Sequence, residues 1–91
     1  MSERMSVDAD PARNALVLNR VRRAQGQLGG VQRMIEDGRD LAEVVSQLKA
    51  VTRALEKAAF ALLVDELRRR TAEGAPPEEL EEIERVFLAL A

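Results

Sequence analysis

Six basic side chains form two regular sets in the first two thirds of the chain. On a helix that turns by about 100° per residue, Arg13, Arg20 and Gln27 follow one another at steps of about 20°. Arg23 lies about 60° from Arg20 on the same helix. The second set recurs every four residues and forms one continuous stripe, consisting of Lys49, Arg53 and Lys57. In an antiparallel pair of helices the two sets would share a face that suits contacts with the phosphates of a nucleic-acid duplex.

The net charge of the chain is −2, but its basic residues are concentrated in the part of the sequence that would form this face. Residues 1–60 carry ten Lys and Arg against eight acids, whereas residues 61–91 carry four Arg against eight acids. Between Pro11 and Ile35 there are five arginines and no acid. A basic segment of this kind attracts polyanions even in an acidic chain. The competing interpretation is an ordinary solvated face whose cations pair with glutamates.

The chain has 91 residues and contains no cysteine and no histidine. A disulfide framework is therefore excluded, and so are the thiolate and imidazole ligands that zinc, copper and nickel mostly use. The usual thiol and imidazole nucleophiles and bases are missing as well. Phe60 and Phe87 are the two aromatic residues, so platforms for base stacking are not expected. The composition predicts no metal site, no cofactor and none of the commonest enzyme chemistries.

Helix start and stop signals identify the elements that must position the basic residues. Asp10 before Pro11 predicts the start of a first helix, and Gly38 predicts its end. Asp40 predicts the start of a second helix, with Glu43 three residues later as in a capping box. Both long helices are too long for a helix-turn-helix motif, which needs a short recognition helix after a tight turn.

The ends of the chain differ from this central hairpin. The Gly-Ala-Pro-Pro sequence at residues 74–77 ends the second helix, and a short third helix is expected at about residues 78–90. Residues 1–9 are polar and without periodicity, which predicts a disordered N-terminal arm before a single helical domain, residues 10–91. No apolar signal segment or membrane-spanning run is visible, and this favours a cytoplasmic protein that does not bind a membrane.

Apolar residues recur on both long helices at intervals of three and four, as in a heptad seam. The two helices would be about 40 and 48 Å long, so a hairpin with a short third helix cannot cover its own seams. We therefore predict an all-α oligomer, most simply a dimeric four-helix bundle. Three glycines inside the first helix, Gly26, Gly29 and Gly30, predict that another backbone approaches there.

Two stretches carry a family resemblance. Residues 19–36 read NRVRRAQGQLGGVQRMIE, and residues 45–51 read VSQLKAV, followed by Leu55, Leu62, Leu63 and Leu67. The combination closely resembles the copper-sensitive operon repressor family, which includes nickel/cobalt-responsive and formaldehyde-responsive repressors. The resemblance covers residues 12–90, which is nearly the whole chain.

The resemblance implies three helices per chain, a dimer of helical hairpins and a disc-like tetramer of two such dimers. It also implies binding to a double-stranded DNA operator in the ligand-free state and release when an effector binds. By position, Arg20 matches a family arginine implicated in operator binding. Lys57 lies where the second helix of the family usually carries another basic residue. Both belong to the two basic sets found from helical geometry.

The chain departs from the family at the effector site. The positions that the resemblance assigns to the effector ligands hold Leu41, Glu66 and Arg70. Leucine has no lone pair, and arginine stays protonated, so this set is not a soft-metal site. Glu66 and Arg70 are four residues apart, which predicts an ion pair where the metal would lie. A further departure is Gly29, where the family often has an arginine, and this would alter the affinity for DNA.

The sequence therefore predicts a DNA-binding repressor that does not sense copper, nickel or formaldehyde through the usual thiol or imidazole site. Its expected DNA-contacting residues are Arg13, Arg20, Arg23, Lys49, Arg53 and Lys57. Mixed assembly with a related, metal-competent repressor is one way in which it could be regulated. Two alternatives stay open, namely an oligomeric helical interaction module without operator binding and a repressor that responds to a non-metal small-molecule effector. An arginine-rich mutase is the enzyme alternative, which the glycine-glutamine motif disfavours.

Overall fold

The computed structural model describes residues 6–8 and 10–90 and contains three helices. These are α1 (Pro11–Glu36), α2 (Leu41–Ala72) and α3 (Pro77–Leu90). The described residues form no strand, so the all-α prediction is confirmed. Of the predicted N-terminal arm, residues 1–5 and 9 lie outside the described residues, as does Ala91 at the other end.

Local capping sets the bounds of α1 and α2. The Asp10 carboxylate accepts a hydrogen bond of 3.0 Å from the Ala12 amide, as an N-cap residue does. After α1, Gly38 adopts a φ of +68°, a conformation that glycine reaches without steric cost. The Asp40 carboxylate accepts a bond from the Glu43 amide at 3.3 Å. The reciprocal half of the capping box is replaced, because the Glu43 carboxylate pairs with Arg39 at 2.6 Å.

A narrow apolar core holds α1 and α2 together as an antiparallel hairpin. Val31 of α1 packs with Val44 and Val51 of α2, and all three are buried. Ala24 and Ala58 are buried as well. Because Val44, Val51 and Ala58 are spaced by seven residues, the same face of α2 meets α1 over four turns. The hairpin thus places the middle of α1 beside the middle of α2, where both basic sets lie.

Helix α3 packs against the second half of α2. Ile83 is its most buried residue, and Phe87 makes an edge-to-face contact with Phe60 of α2 at a centroid distance of 5.3 Å. This contact anchors α3, since edge-to-face aromatic pairs add to the energy of apolar burial. None of the helices in the described part of the chain is long and apolar enough to cross a membrane.

The apolar seam of α2 divides into two faces. One face meets α1, as described above. A neighbouring face remains exposed to solvent and carries Leu41, Val45, Leu48 and Leu55. Leu41 is 77% exposed, although it belongs to the predicted seam. The hairpin therefore does not cover its own apolar residues, which is the expectation drawn from helix length.

The glycines of α1 depart from expectation. A Cβ atom built on Gly26 would meet nothing within 4 Å. At Gly29 and Gly30 the nearest atoms belong to the Arg33 side chain, at 3.8 and 3.9 Å. Within the described part of this chain no backbone approaches these glycines, and the approach of a second chain stays a prediction. Helix α1 meets α2 on the other side of the helix, through Ala24 and Val31, which belong to its apolar repeat.

Candidate nucleic-acid interface and effector positions

A positively charged hollow of about 340 Å³ lies between α1 and α2. We call it the basic hollow, and its lining consists of Arg20, Arg23, Gln27, Ala50, Arg53, Ala54 and Lys57. The two alanines are short side chains on the α2 side, which leaves room for the long cationic chains around them. The antiparallel hairpin thus brings together four basic residues that are up to 37 positions apart in the sequence.

The four cations of the basic hollow are not neutralised by the protein itself. All four are exposed, and none forms an ion pair with a carboxylate among residues 6–8 and 10–90. Ion pairs do form elsewhere, at Arg13, Arg39, Arg69, Arg70 and Arg85. These four cations do not pair with glutamates within the described residues, as can also be the case on a solvated face. Free guanidinium and ammonium groups are available for phosphate oxygens.

Two of the six predicted DNA contacts lie outside the basic hollow. Arg13 instead pairs with Asp8 at 2.9 Å and with Asp10 at 3.6 Å. Lys49 is exposed on α2 but does not line the hollow. Gln27, which shares the helical set of Arg20, does line it. Helical periodicity alone placed Arg13 with Arg20, because it does not register the carboxylates that precede α1.

Gly29 lies on the side of α1 away from the basic hollow. On a regular helix it is about 160° from Gln27, which lines the hollow. Its nearest neighbour is the Arg33 side chain. The glycine at this position therefore removes no cation from the basic hollow.

The three effector positions do not meet within one chain. Leu41 is the first residue of α2, whereas Glu66 and Arg70 lie 25 and 29 residues later on the same helix. At 1.5 Å per residue, about 38 Å separates Leu41 from Glu66 along α2. No cluster of three metal-binding side chains occurs in the described part of the chain. Leucine has no lone pair to donate and arginine stays protonated, so the side chains at these three positions do not suit a copper or nickel ion.

Glu66 and Arg70 form the ion pair that their spacing predicts, with Arg70 Nε 3.2 Å from Glu66 Oε2. Arg69 Nη2 lies 2.5 Å from the same oxygen. Glu66 is 8% exposed and is the one buried charged residue in the described part of the chain. We call this group of side chains the Glu66 cluster, and it consists of Asp8, Glu66, Arg69, Arg70 and Glu79.

The cluster favours the ionised form of both carboxyls that lie at its centre. Burial opposes ionisation of Glu66, but hydrogen bonds from Arg69, the Asp8 amide and Arg70 outweigh it, so the pKa of Glu66 lies below its ordinary value. A hydrogen bond from the Asp10 amide, together with Arg13 and Arg69, lowers the pKa of Asp8 despite partial burial. The bond to Glu66 raises the pKa of Arg69. The cluster is thus a fixed set of charges at neutral pH.

Sequence reasoning found Glu66 and Arg70 but missed the other members of the cluster. Arg69 carries a local signal, since it lies three residues after Glu66 on the same helical face. Asp8 carries none, because it is 58 residues away from Glu66. Glu79 lies beyond the 74–77 turn, and its contact with Arg70 depends on the direction in which α3 leaves that turn.

The family model of the metal-sensitive transcriptional repressors matches residues 13–89. The chain belongs to the metal-sensitive transcriptional repressor family. The matched range includes all of α2, the basic hollow and nearly all of α3. This family consists of transcriptional repressors and not of enzymes, so the mutase alternative is excluded and the predicted family is confirmed.

Two relatives are copper-sensing repressors by name. The chain is 43% identical over 61 residues to the copper-sensing transcriptional repressor RicR of Mycobacterium tuberculosis. It is 33% identical over 58 residues to the copper-sensing transcriptional repressor CsoR of Bacillus subtilis. These alignments cover 63% and 64% of this chain, and 64% and 57% of the relatives. The chain thus spans less than two thirds of the length of either relative.

A solved structure shares the fold over almost the whole chain. It is the copper-sensing repressor CsoR with Cu(I) from Geobacillus thermodenitrificans, with a TM-score of 0.71 and 26% sequence identity. The match covers 98% of this chain and 92% of the CsoR chain. This chain therefore shares the fold of a copper-sensing relative while its sequence contains no cysteine and no histidine.

Proposed function

We propose that this chain is an operator-binding transcriptional repressor whose basic hollow contacts the phosphates of double-stranded DNA. The observation that carries the proposal is the convergence of Arg20, Arg23, Arg53 and Lys57 without a described carboxylate partner. Membership of a repressor family supplies the biological context. Such a repressor acts where its operator is, in keeping with the cytoplasmic location expected from the sequence.

A second copy of the chain completes this surface in our proposal. The exposed face of α2 carries Leu41, Val45, Leu48 and Leu55 within about 80° of one another, which is the width of a helix-packing stripe. Pairing of this face between two chains gives a dimeric four-helix bundle, and two dimers give a tetramer. Each added copy repeats the basic hollow, and repeated phosphate contacts raise the affinity for a long duplex.

The oligomer has its own test. Leu48→Glu combined with Leu55→Glu places two charges on the exposed face of α2, and we expect a monomer by light scattering after size exclusion. Leu16→Glu is the control, since Leu16 is 78% exposed on α1 and lies outside that face. An unchanged oligomer in the double variant would contradict the proposed interface.

The regulation of this repressor differs from that of its copper-sensing relatives in our proposal. Leu41, Glu66 and Arg70 do not fit a soft metal ion, and Arg70 is already held by Glu66. We propose a repressor that copper and nickel do not release. A non-metal small molecule or mixed assembly with a metal-competent relative would then supply the response. In a mixed assembly the relative brings the thiol or imidazole groups that this chain does not have.

Operator binding is tested by fluorescence anisotropy on a labelled duplex from the region upstream of its own gene, with a scrambled duplex beside it. We expect the logarithm of the affinity to fall linearly with the logarithm of the salt concentration, because phosphate contacts release counterions. Arg20→Ala with Arg53→Ala should reduce both the affinity and the steepness of that line. Binding that is absent or independent of salt would favour the interaction module without operator binding.

A matched variant controls for the loss of positive charge. Arg39→Ala with Arg85→Ala removes two exposed arginines that are already paired, with Glu43 and Glu82. We expect this variant to bind the operator as the wild type does. Equal losses in the two double variants would show that net charge and not the basic hollow carries the binding.

Release is tested with the same duplex. We expect Cu(I) and Ni(II) to leave the complex intact, whereas Cu(I) should act on the mycobacterial relative RicR, which is a copper-sensing repressor by name. Release by either metal at stoichiometric concentration would contradict the proposed metal insensitivity.

A further inference from the structure

The Glu66 carboxylate connects residues 6–8 to the end of α2. Its Oε2 atom accepts hydrogen bonds from Arg69 and Arg70, which belong to its own helix, α2. Its Oε1 atom accepts a hydrogen bond of 3.3 Å from the Asp8 backbone amide. The described side chains contain no buried polar atom without a partner, so this carboxylate is fully used. A buried carboxylate with donors on both oxygens fixes the positions of those donors.

On one side the Glu66 cluster reaches the start of α1. The Asp8 carboxylate lies 3.6 Å from Arg69 Nε and 2.9 Å from Arg13 Nη1. The Asn14 side chain also donates a hydrogen bond to the Asp8 carbonyl. Residues 6–8 are thereby held between the end of α2 and the first turn of α1.

On the other side the Glu66 cluster reaches α3. While Arg70 Nε contacts Glu66, its Nη1 atom lies 3.2 Å from Glu79 Oε1 in the first turn of α3. Ser6 and Val7 line a cavity of about 170 Å³ together with residues of α2 and α3, and Glu66 lines it as well. Residues 6–7 and α3 therefore border one cavity beside Glu66, while Arg69 contacts Asp8 and Arg70 contacts Glu79.

We propose that Glu66 is a positioning residue that locks residues 6–8 and α3 onto the end of α2 without any metal ion. Arg13 contacts Asp8 and lies in the first turn of α1, two turns before Arg20. The lock therefore also fixes the start of α1 relative to α2, on the side of the basic hollow where Arg20 lies. This second statement rests on the proposed function. Arg69 links Glu66 to residues 6–8 through Asp8, and Arg70 links Glu66 to α3 through Glu79.

Single spin labels test the lock in the full chain. The chain has no cysteine, so one introduced cysteine carries one label. Ser6→Cys reports on residues 6–8, Glu81→Cys reports on α3, and Gln32→Cys on α1 serves as the reference. We expect Glu66→Gln to mobilise the first two labels and to leave the third unchanged in the electron paramagnetic resonance spectrum. We expect Arg69→Gln to mobilise mainly position 6, and Arg70→Gln mainly position 81.

A control variant separates the lock from a general loss of charge. Glu56 is exposed on α2 and forms no ion pair in the described part of the chain, so Glu56→Gln should leave all three labels unchanged. Unchanged labels at positions 6 and 81 in Glu66→Gln, or equal changes in both variants, would overturn the proposal. If Glu66→Gln loses its helical circular dichroism, the proposal is tested with Arg69→Gln and Arg70→Gln instead. These variants carry the same labels and should mobilise mainly position 6 and mainly position 81, respectively.

Operator affinity tests the connection to the basic hollow. Removing a negative charge by itself strengthens binding to DNA, so Glu56→Gln should bind equally or more tightly. We expect Glu66→Gln to bind several-fold more weakly, which is the opposite direction, because the start of α1 is no longer held. Equal affinities in the two variants would overturn the connection between the lock and the basic hollow. The lock itself would then be judged from the spin-label spectra alone. If the wild-type chain does not bind DNA, the proposed function is contradicted. The spin-label experiment uses no DNA, so its result does not depend on that function.

Discussion

The basic hollow and the Glu66 cluster hold the same residue type in opposite electrostatic states. In the basic hollow, arginines line the surface without a described carboxylate partner. In the Glu66 cluster, Arg69 and Arg70 contact four carboxylates, those of Asp8, Glu66, Glu73 and Glu79. The charge of a paired arginine is already balanced by its carboxylate, so it attracts a phosphate less strongly than an unpaired arginine does. The number of arginines in a helix therefore says less about nucleic-acid binding than the state of their pairing does.

The largest expected effect comes from making the basic hollow resemble the Glu66 cluster. Ala54→Glu places a carboxylate in the lining of the hollow, three residues before Lys57. We expect operator affinity to fall by about 100-fold or more, because the cations would pair with the added carboxylate, which also repels phosphate. Anisotropy of the labelled duplex measures it, with Ala54→Gln as the uncharged control of equal size. Equal affinities for the two variants would show that a carboxylate in the basic hollow does not weaken DNA binding, and would contradict the importance given to unpaired arginines.

The reverse change removes the carboxylate from the Glu66 cluster. We expect Glu66→Gln to lower the free energy of unfolding by about 1–3 kcal/mol at pH 7, since it loses charged hydrogen bonds. The pKa of Glu66 is lowered in the folded chain, so its stabilisation is present above its ordinary pKa and is lost as the pH falls through the folded value. Urea unfolding at several pH values should therefore show the difference from wild type shrinking below about pH 4.3.

Glu56→Gln is the control for this acid dependence. Its carboxylate is exposed and unpaired within the described chain, so its variant should stay within about 0.5 kcal/mol of wild type at every pH. A difference between Glu66→Gln and wild type that stays constant down to pH 3 would contradict the assigned role of the ionised carboxylate.

A cation added outside both regions tests whether DNA binding depends on the position of the positive charges or on their number. Gly29 lies away from the basic hollow, and a Cβ atom there meets the Arg33 side chain at an ordinary 3.8 Å. We expect Gly29→Arg to change operator affinity by less than about threefold, since one distant charge acts only through screened attraction. Gly29→Ala is the control and should stabilise α1 by up to about 1 kcal/mol without affecting DNA. A much tighter complex for Gly29→Arg alone would place DNA on this side of α1.

The smallest effect is expected at an exposed ion pair. Arg85 contacts Glu82 at 2.8 Å on α3, and its side chain is mostly in solvent. Arg85→Ala should change the free energy of unfolding by less than about 0.5 kcal/mol, because exposed pairs gain little over solvation. Thermal unfolding measures this change. A loss as large as that of Glu66→Gln would show that burial does not distinguish the Glu66 cluster.

Short-range signals gave most of the fold. Asp10 and Gly38 set the bounds of α1, because a capping carboxylate and a left-handed glycine act within a few residues. The third helix was expected from residue 78 and begins at Pro77, since proline suits a first helical position. The sequence did not show how the seam of α2 divides, because a heptad pattern does not say which apolar residues meet α1.

The candidate sites were predictable to different degrees. The basic hollow followed from periodicity on two antiparallel helices, which is why Arg20 and Lys57 were placed together correctly on one side of the hairpin. Arg13 does not line the basic hollow, because Asp8 lies outside any periodic pattern and pairs with its side chain. The Glu66–Arg70 pair is local to one helix, whereas the contact of Glu66 with Asp8 depends on the whole tertiary structure.

The tight connection at Gly38 determines the order in which contacts form when the chain folds. Because α1 and α2 are joined by four residues, the sequence distance between facing positions is smallest near Gly38 and increases towards the far end of the hairpin. Contacts that close short loops cost the least chain entropy and form first. The bond between Asp8 and Glu66 spans 58 residues, so we expect it to close last and to open first. We therefore expect partial unfolding to begin at the end of the hairpin that carries the Glu66 cluster.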